Sequence, residues 1–117
     1  MSKSLDEQIE VIEAGYEFLL AYAAQGRETD VGKGGNSEVR TTLAGMSEAT
    51  GNVVALLEEQ DHDFARVVVD DARKSLAAIA LVAAQPAISS ELIDNLNASI
   101  HLRALLTDLF LLSEAPP

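Results

Sequence analysis

The chain of 117 residues contains no cysteine and no tryptophan, only three prolines, and aromatics at 4% of its length. Without cysteine there can be no disulfide, no thiolate zinc site and no cysteine nucleophile. Cations are also scarce, with 8 Lys+Arg against 19 Asp+Glu and a formal charge of −11. Affinity for a phosphate backbone comes from Lys and Arg neutralising it, so this balance argues against nucleic acid as a partner. The same sign argues against anionic membrane surfaces. Long apolar runs are missing as well. The longest stretch without a charge, from Ser75 to Ser90, contains Gln85 and Pro86 and falls short of the roughly 20 apolar residues that span a bilayer. Met1-Ser2-Lys3-Ser4 leads directly into an acidic amphipathic segment without the apolar stretch of a secretory signal, so the expected location is cytoplasmic.

What is present is helix-forming. Apolar residues make up 48% of the chain and 18 residues are alanine, while no segment alternates apolar and polar at period two. The expectation is one all-α domain over residues 1–117. A chain of this length buries roughly two-thirds of the surface its unfolded form exposes, enough for a core of its own. Ser4 and Glu7 form a capping box. Leu5, Ile9, Ile12, Tyr16, Leu19, Leu20 and Ala23 then recur at threes and fours until Gly26, predicting a first helix over roughly 5–25. Residues 26–36, GRETDVGKGGN, hold four glycines and no periodicity, and read as a Gly-rich loop.

Asn36 or Ser37 can cap the next helix. From there Val39, Leu43, Met46, Thr50, Val53, Leu57, Gln60, Phe64 and Val67 follow alternating steps of four and three, a seam of coiled-coil type. Between Glu58 and Phe64 two readings stand. Asp61 or Asp63 could cap a new helix over about 64–84, or a single helix could run from 38 to 84. Pro86 ends the segment. Ser89 caps a last helix, with Ile88 and Ile93 as a hydrophobic staple and Leu92, Leu96, Ile100, Leu106, Leu109, Phe110 and Ser113 along its seam. Residues 114–117 form a short tail. With the break, the architecture is an antiparallel four-helix bundle. Without it, three helices remain and the middle one, about 70 Å long at 1.5 Å per residue, would need a dimer to cover it.

Chemistry-bearing patterns are few. Glu59 and His62 are three apart and, on one helix, would project from the same face. Ferritin-like bundles hold two iron ions with two such pairs plus glutamates from other helices. Here a second pair would have to come across a subunit interface, giving a carboxylate and histidine site for iron or another divalent metal. His62-Asp63-Phe64-Ala65-Arg66 resembles the dimerisation box of sensor histidine kinases over five residues, but Arg66 falls one position late. That resemblance implies at most a passive phosphotransfer module. Residues 32–37 place a lysine and backbone N–H groups before a helix start, where an anion could sit, but no strand precedes them and no Ser or Thr follows Lys33. A small-molecule sensor with a ligand between facing helices is a further alternative.

The reading these features favour is a non-enzymatic bundle that binds an unidentified protein as adaptor, assembly factor or regulator, itself a homodimer or larger. Val39, Leu43, Met46, Val53, Leu57 and Phe64 are its candidate interface residues, and no cofactor is required.

Overall fold

The architecture is that of a computed structural model describing residues 3–32 and 35–117. Among the described residues there are five helices and no strand. They are α1 (Lys3–Ala23), α2 (Glu38–Leu57), α3 (Asp63–Ala83), α4 (Ser90–Ala98) and α5 (His101–Glu114). The all-α expectation holds, whereas the count of four does not.

Helix α1 starts at Lys3, so Ser4 lies inside it rather than capping it. Its buried stripe is Leu5, Ile9, Ile12, Leu19 and Tyr22, with Leu20 turned outward. Helix α2 begins where Ser37 Oγ accepts the Arg40 N–H, satisfying a donor that the first helical turn leaves free. The four-three seam is buried from Val39 through Leu57 and stops there, because Gln60 and Val67 are exposed.

The long middle helix is excluded by the turn at 58–62. Glu58 N–H bonds back to Val54 O and Gln60 N–H to Leu57 O, after which His62 is extended, with φ −147° and ψ 155°. Neither Asp61 nor Asp63 caps α3. His62 does, its Nδ1 accepting the Ala65 N–H at 3.1 Å.

The last predicted helix is two. Ser89 caps α4 as expected, accepting the Leu92 N–H, and Ile88 and Ile93 are both buried. At the far end Ser99 Oγ donates to Leu96 O at 2.6 Å, and the N–H groups of Ser99 and Ile100 fold back on Asn95, Leu96 and Asn97. Ile100 then adopts φ 66°, ψ −5°, a left-handed conformation that costs an L-residue roughly 1–2 kcal/mol. The chain restarts as α5 in a new phase, which buries Leu102, Leu105, Leu106, Leu109 and Leu112 and leaves Ile100, Phe110 and Ser113 of the expected seam outside.

Neighbouring helices run antiparallel. Gln8 meets Asn52 across α1 and α2, Arg73 meets Glu58 from α3, and Ser90 and Asn97 of α4 reach Tyr22 and Leu19 of α1. Helix α4 packs chiefly on α1, and α5 chiefly on α3. The molecule measures 47 × 23 × 22 Å. Gly15 of α1 is buried where α2 comes closest, since a Cβ there would lie 2.4 Å from Met46 Cγ. No helix among the described residues is long and apolar enough to cross a membrane.

Candidate functional site

Three places bring polar chemistry together. At one end of the molecule the Gly-rich loop is anchored by Asp30, whose side chain is fully buried. Its Oδ2 accepts from Arg40 Nε and from Ser37 Oγ, both at 2.7 Å, and its Oδ1 accepts from the Ile88 N–H at 2.8 Å. Burial alone would raise this carboxyl, but the bonds from Ile88, Ser37 and Arg40 outweigh it and hold the group well below the usual carboxylate range. Arg40 uses its other nitrogens on the carbonyls of Ala83 and Gln85, at 2.9 and 2.7 Å, closing the C-terminus of α3.

Beside this cluster the Tyr22 hydroxyl donates to Ile88 O at 2.6 Å. Ser90 Oγ donates to Tyr22 O and accepts from the Arg27 N–H. The Arg27 guanidinium lies 5.2 Å from the Tyr22 ring centroid. Arg27 and Arg40, two of the cations at and beside this loop, are therefore engaged within the molecule. Lys33, the lysine of the possible anion cradle, lies outside the described residues. The network is a structural clasp, and nothing in the loop's composition announces it.

The second place is the turn after α2. Glu59 and His62 both fall between helices, so they do not share the helical face their spacing suggested. Glu59 is exposed. Both ring nitrogens of His62 are engaged locally, Nδ1 accepting from Ala65 and Nε2 lying 3.2 Å from Gln60 Oε1. Because Nδ1 accepts, the ring proton belongs on Nε2, donated to Gln60. Arg66 pairs with Asp61 and Asp63. Among the described residues no three His, Asp or Glu gather where a metal ion could be held. A polar cavity of about 560 Å³ lies alongside, lined by Leu57, Glu58, Glu59, Arg66, Val69, Asp70 and Arg73.

The third place is the edge of α5 where it meets α3. Here Asp108 sits against Asp71 of α3, and Asp108 Oδ2 is shut from solvent without a hydrogen-bond donor. Burial, together with a hydrogen bond and charge repulsion from Asp71, pushes its carboxyl up to about 7. A proton shared by the pair supplies the bond that two carboxylates lack. A shallow depression of about 380 Å³ borders it, lined by Ile100, Arg103, Ala104, Thr107 and Asp108.

As for the candidate interface residues, Val39, Leu43, Met46, Val53 and Leu57 are buried within this single chain, and Phe64 packs half-buried against the same core. Helix α2 packs on α1 and α3, and these residues share their core clusters with residues of α1, α3, α4 and α5. The pairing of Asp108 on α5 with Asp71 on α3 is not legible in the sequence, where Asp108 shows, with Arg103, as a charge interrupting an apolar run and suited to the outer face of its helix or to an interface. Compared with known proteins, the chain matches no family model, no curated protein and no solved structure.

Proposed function

We propose that this protein works through a protein-binding surface carried on α5, as an adaptor, assembly factor or regulator, and in homo-oligomeric form. In this reading α4 and α5 together are one interrupted fourth column of an antiparallel bundle, since α4 covers α1 and α5 covers α3. The interruption rotates α5 so that apolar side chains face water. One observation carries the proposal. Of the eight large apolar residues left exposed among the described residues, Ile100, Phe110 and Leu111 fall on or at the start of α5, and none falls on α2 or α4. Helices α1 and α3 each carry two, Val11 and Leu20 and Val67 and Leu81, and Val31 lies in the loop, so α5 with its flanking Ile100 is the element richest in them, and a concentration of exposed apolar side chains marks a contact surface.

The test is photo-crosslinking in the native host from a reactive residue at position 110, with position 48 on the outer side of α2 as control. A discrete protein adduct from 110 and none from 48 is expected. Equal labelling from both positions would remove the reading.

A further inference from the structure

Two unfavourable features meet in the way α5 is held. The first is the residue before it, Ile100, with φ 66° and ψ −5°. A β-branched residue in the left-handed region is rare, and such strain persists only where the surrounding structure imposes it. Here the docking of α5 imposes it, since the turn at Ile100 redirects the chain so that Leu102, Leu105, Leu106, Leu109 and Leu112 are buried.

The second lies on the flank of α5 that meets α3. Asp108 Oδ2 is shut from solvent with no donor, and the group that faces it is the half-buried Asp71. Hydroxyls on the adjoining turns are engaged elsewhere, Ser75 Oγ donating to Asp71 O and Thr107 Oγ1 to Arg103 O. Among the described residues no charged group of α1, α4 or α5 itself acts on Asp108, Arg103 included, which leaves Asp71 of α3 as its one charged neighbour. Two carboxyl groups in contact are held together only while a proton lies between them.

Both features are relieved if α5 leaves α3, because Ile100 regains an ordinary backbone conformation and the carboxylates regain water. Against this stand the five buried leucines of α5, so the docked form dominates. Helix α5 packs chiefly on α3 and little on α4, which makes Ile100 the joint between two parts that hardly touch.

We infer that α5 is a hinged arm, latched to α3 by one proton shared between Asp71 and Asp108, and that giving this proton up to water loosens α5 to swing about Ile100. The latch is complete below a pH of about 4 and is lost as pH climbs through about 7. The motion belongs to the isolated chain, so it does not depend on α5 being a contact surface.

Amide hydrogen exchange followed by NMR tests this, with each rate divided by the intrinsic rate at the same pH. Between pH 5 and pH 7 the protection of the Leu105, Leu106 and Leu109 amides should fall at least about tenfold. Protection of Leu43, Met46 and Val53 in α2 should fall by less than about twofold, because local opening leaves the rest of the core closed. Asp108→Asn and Asp71→Asn should each abolish the fall in α5, since an amide donates to the remaining carboxylate at either pH. Ile100→Gly should raise α5 protection at both pH values while keeping the fall, because it relaxes the joint and leaves the latch. Protection in α5 that does not change with pH, or that falls in parallel with α2, overturns the hinged arm. A fall that survives both asparagine substitutions overturns the latch.

Discussion

Asp30 and Asp108 are the same side chain in opposite circumstances. Asp30 is withdrawn from water completely, yet donors from three residues, two at the start of α2 and one before α4, meet its oxygens, and its acidity increases. Asp108 is only partly withdrawn, but it faces another carboxyl and has an oxygen with no donor. Burial does not decide the cost of a charge; the supply of donors does. One end of the protein has been completed internally, and the side bearing α5 has not.

The largest expected effect comes from dismantling the completed end. Asp30→Ala leaves Arg40 without its carboxylate and the Ile88 N–H without an acceptor, and should cost about 3–5 kcal/mol in urea unfolding at pH 7. Because the folded carboxyl is more acidic than the unfolded one, its contribution holds above a pH of about 4 and is lost as pH falls below that value. The wild type and the variant should therefore converge in acid.

Asp108→Asn should do the reverse. A carboxyl raised to about 7 stabilises the fold most below a pH of about 4 and loses that contribution as pH climbs toward neutrality. In dilute solution the variant should be more stable than wild type by about 1–2 kcal/mol at pH 8, a figure reduced for the group's partial exposure. The gain should vanish near pH 4. Equal gains at both pH values would show that the acid pair is not its source.

Smaller effects sharpen the contrast. Tyr22→Phe removes the bond to Ile88 O and should cost about 1 kcal/mol, read from the denaturation midpoint. Ile100→Gly should raise stability by up to about 1 kcal/mol, because glycine enters the left-handed region without strain. A loss on that substitution would mean the isoleucine side chain is already covered in solution.

The first helix and the start of the second were legible because their apolar periodicity is uninterrupted and Ser37 offers a hydroxyl where a cap is needed, but the same unbroken steps run on through residues 58–64 and left the division between α2 and α3 open. The break at Ser99 was not, since the residue that turns left-handed is isoleucine rather than glycine. A signal was nevertheless present. Extending the phase that buries Ile93 and Leu96 would carry Arg103 and Thr107 inward, so the helix could not continue unbroken. Asp30 was hidden for another reason: an aspartate among glycines reads as a turn, and its partners Arg40 and Ile88 are 10 and 58 residues away. Glu59 and His62 were conspicuous by spacing, but spacing has helical meaning only inside a helix.

The clasp around Asp30 also dictates an order of events during synthesis. The hairpin of α2 and α3 needs only its own short turn to close, whereas Asp30 waits for an amide 58 residues downstream, and joining such distant segments is entropically slow. Until residue 88 has left the ribosome the loop can fasten only to Ser37 and Arg40 at the start of α2, so the bond that ties it to the segment before α4 is the last of the three to form.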